Sequence, residues 1–429
     1  MKHTGNFSNK ASELNFQKSN FLTFLAVIAI SLFPVQFGLK LQTFVYGVQV
    51  DIWRVCVFVL FYGLLLKCLA RKELPRIVTS SVDKWVYIFC SVLVSSIFWS
   101  KYPLDSLREA VDLLVVIAYY IVLINILHAR SIFWKTWFTL TPWINMSLAV
   151  IYSVYYGGLR VGSISEEAIS ISNLVAITSV MSMPGLWASA IVGGPLLRKL
   201  NLVGLIINIL IVFLSESRTG TVIMLISIIV SCCFLSKNGV RSFSKSLLII
   251  FLIAVSSIIV LKSQVGMQTY NELLDRMSRT RFTTSIEEAR FLKHDIGRAY
   301  EYKSARIILQ ENLLFGIGLR SFKSYIEERF LLPRGWIAHG FPIEILTNVG
   351  LIGSISFIIL IFCIFKGLKI NPRFSTAKGK EENIYNTALT ISFISFMLHS
   401  LFRPMITEPY FYIFCAIFSY KNRKISRLS

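Results

Sequence analysis

The chain has 429 residues, 55% of them hydrophobic and 16% charged, with a mean hydropathy of +0.64 and a formal net charge of +21. A soluble domain of that balance would expose large apolar patches, so the class is a polytopic membrane protein. The positive charge does not point to nucleic acid, because most Lys and Arg sit in short loops beside apolar runs, as topology signals do.

The first twenty residues are polar and carry Lys2, Lys10 and Lys18. No small-residue cleavage site follows closely, so the first apolar run is expected to be retained as a span. A bilayer core of about 30 Å needs roughly 20 apolar residues per helix. On that rule spans fall near 21–38, 44–66, 85–99, 110–127, 136–156, 168–192, 200–214, 218–235, 245–261, 341–365, 385–402 and 408–420. No period-2 pattern of a barrel is present, so about twelve transmembrane helices are expected in an all-α integral membrane protein. Three parts follow: an N-terminal bundle over 1–261, a large polar loop over 262–340 and a C-terminal group of helices over 341–429.

Loops with Lys67, Arg71, Lys72, Arg76 and Lys84, then Arg130 and Lys135, then Arg198 and Lys199 alternate with loops poor in cations. The pattern continues through Lys237, Arg241 and Lys245 to Lys366, Lys369 and Arg373, and to Lys421, Arg423 and Lys424. By the positive-inside rule both termini are cytoplasmic and the 262–340 loop lies outside. The seven cysteines all fall in or at the edges of apolar runs, where they read as small hydrophobes.

A polar loop of that size between hydrophobic runs is more often functional than connective. Gln268–Arg281 suits an amphipathic helix lying in the interface, and Arg298–Gln310 places Tyr302, Ala305, Ile308 and Leu309 on one helical face. Gly316-Ile317-Gly318 follows but opens no βαβ unit, so it is no nucleotide loop. No carboxylate or His/Cys cluster has metal-ligand spacing, and neither a metal nor another cofactor is implied.

Three residues stand out for chemistry, all on the outer side. Arg218 lies in the very short turn Ser215-Glu216-Ser217-Arg218-Thr219-Gly220 between two apolar runs. It either snorkels to water or clamps an anion with its planar fork, helped by the N–H groups of the next helix. Arg298 sits in the first turn of its helix, against the macrodipole, where intrinsic stability does not explain it. It too reads as an anion ligand or as a surface arginine, with Arg306 and Arg320 as weaker candidates for the same ligand. His339 lies where the chain re-enters the membrane, with Glu344 roughly a turn on; it reads as an interfacial polar residue or as a general base.

Ser217-Arg218-Thr219-Gly220 at the head of a span resembles the Ser-Arg-x-x signature of the bacterial O-antigen ligase and polymerase superfamily. Gly297-Arg298, then Gly316-Ile317-Gly318-x-x-x-Phe322, then His339 followed by Glu344 and Asn348-x-Gly350-Leu351-Ile352-Gly353, resembles that family's large outer loop and following span. Two positions depart from its pattern: Gly340 follows His339 where Asn or Ser is usual, and Leu313 stands near the place of a common Pro.

The resemblance implies transfer of a glycan from undecaprenyl diphosphate to an acceptor sugar hydroxyl at the periplasmic face of the bacterial inner membrane. Arg218 and Arg298 would hold the diphosphate and His339 would act as base on the acceptor, with Arg306, Arg320 and Glu344 in substrate binding. The acceptor is the lipid A core for a ligase and a growing glycan for a polymerase; the basic residues Arg276, Arg279 and Arg281 favour the phosphorylated core. Anionic headgroups of membrane lipids would attract the same residues. A transporter of lipid-linked sugars is a rival, but it would need broken midplane helices and repeat symmetry, and no repeat is visible. Asp51 and Arg54, one turn apart, read as a structural ion pair. A scaffold for envelope assembly is a third possibility.

Overall fold

The computed structural model describes residues 23, 25–30, 42–45, 48–126, 132–156, 166–215, 217–235, 296–330, 340–367, 377–403, 406 and 408–426. Among these the chain is helical apart from turns and one antiparallel hairpin, in which β1 (Gln42–Val45) pairs with β2 (Val48–Asp51). The hairpin takes the first residues of the expected second span, and helix α1 starts only at Ile52 and runs to Arg71.

The helices then follow in order: α2 (Ser81–Ser95), a 3-10 turn (Ser96–Trp99), α3 (Pro103–Ile126), α4 (Ile132–Tyr156), α5 (Glu166–Val192), α6 (Pro195–Leu214) and α7 (Arg218–Leu235). Two shorter polar helices come next, α8 (Ile296–Glu311) and α9 (Ser321–Phe330), and then α10 (Phe341–Gly367), α11 (Ala377–Ser400) and α12 (Pro409–Ser426). Six helices among the described residues are long and apolar enough to cross a membrane: α1, α2 with its 3-10 turn, α3, α5 from Asn173 on, α6 and α10. The expected span at 245–261 and the amphipathic helix at 268–281 lie outside the described residues.

Helices α5 and α12 form the inside of the bundle. Helix α5 has apolar residues all round and 83% of its span window is buried, as a helix without a polar face must be. Its polar residues meet partners on neighbouring helices. Asn145 Nδ2 of α4 donates to Ser179 Oγ at 2.8 Å, and Asn208 Nδ2 of α6 donates to Ser182 Oγ at 2.6 Å. Interhelical hydrogen bonds of this kind supply what lipid cannot, since no water is there to compete for the groups. Helix α12 buries Tyr410, Phe411, Tyr412, Phe414 and Phe418 against Trp137, Phe393 and Phe396.

One end of the bundle is tied by a buried carboxylate. Asp83 completes a capping box with Ser80 at the start of α2, accepts from the Tyr120 hydroxyl of α3, and is reached through Thr79 by Arg423 of α12. The N–H groups of Thr79 and Ser80 and the hydroxyls of Thr79 and Tyr120 all donate to this one buried carboxylate, so its oxygens are satisfied within the fold.

The other end carries the functional candidates. Helices α7 and α11 run antiparallel: Leu235 packs with Ile384, Tyr385 and Ala388, whereas Leu398 joins the cluster of Met224 and Ile228. The end of α11 therefore lies beside the start of α7. The turn after α11 also touches the start of α10, because a Cβ on Gly340 would stand 2.5 Å from the Leu401 carbonyl oxygen. Arg218 and Gly340 thus share one end of the bundle by backbone placement.

Candidate functional site

Ser217 makes the start of α7. It lies just ahead of Arg218, and its Oγ accepts the N–H of Gly220 at 3.2 Å, which is the N-cap bond to the third helical residue. The same hydroxyl donates to Asn173 Oδ1 of α5 at 3.1 Å, so both of its bonding directions are used. Gly220 allows the close approach: a Cβ there would stand 3.0 Å from the Ala176 Cβ of α5. Arg218 is hence the first helical residue of a capped, tightly seated helix, where unpaired backbone N–H groups favour an anion. Its side chain lies outside the described residues.

Arg298 stands in the first turn of α8, its side chain also outside the described residues. Further along α8, Ala305 and Ile308 pack with Ile317, Phe322, Tyr325 and Ile326, while Tyr102 of the α2–α3 connection and Ile343 of α10 close the cluster. Helix α8 starts at Ile296 and so agrees within two residues with the expected start. Arg306 is exposed on its surface.

Gly316-Ile317-Gly318 turns out to be a backbone clip. Helix α10 is broken at Gly350, whose φ of 60° and ψ of −155° leave the helical region. The break frees carbonyls before it and N–H groups after it, and the turn satisfies both sets. Ile317 N–H donates to Thr347 O and Gly318 N–H to Asn348 O, each at 2.9 Å. In return Leu351 N–H donates to Leu313 O at 2.9 Å and Ile352 N–H to Leu314 O at 3.3 Å.

Only glycine fits the crossing. Gly316 (φ 68°) and Gly350 (φ 60°) occupy the left-handed region, and a Cβ on either would meet backbone at 2.5 to 2.6 Å. Gly318 packs against Ser100, and Lys101 N–H donates to Ile317 O at 3.0 Å. The α2–α3 connection, the glycine turn and the broken span are thereby one assembly.

Arg320 belongs to that assembly. Its φ is 57°, and its guanidinium meets the Glu109 carboxylate of α3 at 2.5 Å. That carboxylate pushes the Arg320 pKa up, holding the charge fixed. One turn earlier on α3, Asp105 accepts from Ser324, and one turn later Asp112 pairs with Arg54 of α1 at 2.6 Å. Asp105, Glu109 and Asp112 form an i, i+4, i+7 stripe that the sequence reading passed over, although its helical spacing was visible. Arg54, read from the sequence with Asp51, has Asp112 as a partner.

Tyr102 donates to Glu328 of α9, and Lys101 lies 3.7 Å from the other carboxylate oxygen. Burial first, and then this carboxylate, push the Tyr102 hydroxyl well up, while the tyrosine hydrogen bond and Lys101 hold Glu328 below the usual carboxylate range.

His339 lies outside the described residues, one position before Gly340. Gly340 (φ 116°) turns the chain into α10, where Glu344 sits in the first turn. The Glu344 Oε2 accepts the Ile406 N–H at 3.3 Å, which fastens the α11–α12 connection beside the place where His339 attaches. The same connection holds an ion pair, Arg403 to Glu408 at 2.8 Å, with both side chains largely covered.

The structure therefore brings the backbones of Arg218 and Gly340 to one end and joins the glycine turn, Arg320 and the broken span into one support. The α2–α3 and α11–α12 connections complete that support, and the sequence reading had given them no part in the site.

No curated protein matches the chain. Residues 203–358, a stretch from α6 into α10 that includes Arg218, Arg298, His339 and Glu344, match the family of the O-antigen ligases. That match, over about a third of the chain, supports the resemblance of its motifs to the O-antigen ligase and polymerase superfamily.

Proposed function

We propose that the protein transfers an O-antigen-type polysaccharide from undecaprenyl diphosphate to a sugar hydroxyl of the lipid A core, at the periplasmic face of the bacterial inner membrane. The observation that carries this reading is the common end shared by the capped start of α7, with Arg218, and the entry to α10 that follows His339, inside the stretch matched to the ligase family.

The chemistry follows from the charges. The acceptor hydroxyl oxygen attacks the anomeric carbon while the bond from that carbon to the diphosphate oxygen breaks. The leaving diphosphate takes the electron pair and the His339 imidazole takes the hydroxyl proton. Attack opposite the leaving group inverts the anomeric centre. The diphosphate already bears negative charge, so Arg218 and Arg298 stabilise it in a low-dielectric site with no need to protonate it. Arg306 and Glu344 stand as further substrate contacts. Arg320, held by Glu109, contributes by keeping α9 and the glycine turn in place.

Polymerisation of repeat units uses the same atoms with a growing glycan as acceptor; the basic residues Arg276, Arg279 and Arg281 favour the phosphorylated core. The test is complementation. Expressed in a strain that lacks its ligase but makes lipid-linked polysaccharide, the protein should restore long glycan on lipid A core, and Arg218→Ala should not. Restored chain elongation in a polymerase-null strain, without ligation, would replace the ligase reading by the polymerase one.

A further inference from the structure

Leu313, Leu314 and Phe315, at the turn between α8 and the glycine clip, are three consecutive apolar residues that are 48%, 57% and 47% exposed. A turn bathed in water is normally polar, and such a run is an error of patterning unless something apolar covers it. Its backbone carries a second sign. The Asn312 carbonyl accepts Gly316 N–H, those of Leu313 and Leu314 accept from Leu351 and Ile352, and that of Phe315 accepts the Trp99 indole N–H at 2.8 Å. Four successive carbonyls of an exposed turn are thus bonded within the protein. Water would make that unnecessary, and hydrocarbon demands it.

Depth agrees. From Leu351 to Lys366 the span rises about 22.5 Å at 1.5 Å per residue, which is less than the roughly 30 Å of the hydrocarbon core. With Lys366 at one boundary, Leu351 and Ile352 lie inside the other leaflet, and tilt only deepens them. The turn bonded to them lies at the same level. Its apolar side chains continue the exposed stripe of Ile352, Ile355, Ile358 and Phe362 down α10. The Trp99 ring, 5.3 Å from Phe315, and the 90% exposed Phe98 lie where an aromatic belt is expected.

We propose that the Leu313–Phe315 turn is seated among the acyl chains of the leaflet at the Arg218 end, so that the external helices α8 and α9 are anchored to lipid as well as to α3 and α10. Leu313 then serves as a lipid contact through its side chain and as an acceptor in the clip through its carbonyl. The inference stands whatever group the protein transfers.

The test places the photoreactive p-benzoylphenylalanine singly at Leu313, Leu314 or Phe315 in the full chain, reconstituted in phosphatidylethanolamine–phosphatidylglycerol vesicles. Phe362 on the α10 stripe is the lipid-facing reference and the exposed Tyr302 of α8 the reference outside it. After irradiation, lipid adducts read by mass spectrometry should approach the Phe362 yield and exceed the Tyr302 yield several-fold. A yield no greater than that at Tyr302 overturns the proposal, and so does crosslinking chiefly to a second copy of the chain. Three probe positions guard against one variant that fails to fold.

Discussion

At the residue scale, the account turns on how single groups are held. Ser217 spends its hydroxyl twice, on the Gly220 N–H and on Asn173. Ser217→Ala should lose a cap worth about 1 kcal/mol and loosen the start of α7, seen as a lower thermal midpoint in detergent and a drop in transfer. A transfer rate equal to wild type would show that the cap does not position Arg218. Gly350→Ala asks more, because its φ/ψ region is essentially confined to glycine and costs about 1–3 kcal/mol otherwise, and the new Cβ would meet Leu314 backbone at 2.5 Å. It should abolish folded protein or open the clip, read as faster amide exchange at Ile317 and Gly318. His339→Ala should cost about two to four orders of magnitude in rate if the imidazole is the base, with the binding of lipid diphosphate retained.

At the element scale, α9 is docked by side chains and α10 by backbone. Glu109→Gln leaves Arg320 without its carboxylate, so exchange protection should fall along α9 and remain on α10; unchanged α9 protection would refute the docking role. The contact of Tyr102 with Glu328 adds a pH dependence whose sign can be worked out. The Glu328 pKa is depressed in the fold, so its stabilising effect is complete above the ordinary carboxylate range and disappears as pH falls through the lowered value. Exchange protection of α9 should exceed that of Tyr102→Phe at neutral pH, and the two should converge in acid.

These elements also show what could be read from the residues. Apolar runs gave α7 and α10 almost to the residue and the end of α6, whose start lies five residues earlier than expected, because length and hydropathy alone define a span. The glycines at 316, 318 and 350 were noticed as a motif, yet their purpose was hidden. A clip between a turn and a helix break is a pairing of segments about 34 residues apart in sequence, and no local period encodes it. The hairpin at 42–51 was absorbed into a span for the same reason: its apolar residues add to hydropathy whichever backbone they adopt. The acidic stripe of α3 carried a visible spacing, but its partners Arg320, Ser324 and Arg54 come from three other elements.

At the scale of the whole molecule, six candidate spans among the described residues, the two buried helices α5 and α12 and a support built at one end describe a multi-pass membrane protein whose proposed site lies at that end. If that end is periplasmic, as proposed, a protease-accessible tag at either terminus should be cut only in inverted vesicles. The proposed ligation rests above all on Arg218 gripping the leaving diphosphate. The most direct measurement is glycan transfer by purified protein in liposomes, with undecaprenyl-diphosphate-linked polysaccharide as donor and lipid A core as acceptor, comparing wild type with Arg218→Ala. The rate should fall by about two to three orders of magnitude or more while the variant stays folded. Transfer at the wild-type rate would contradict the account.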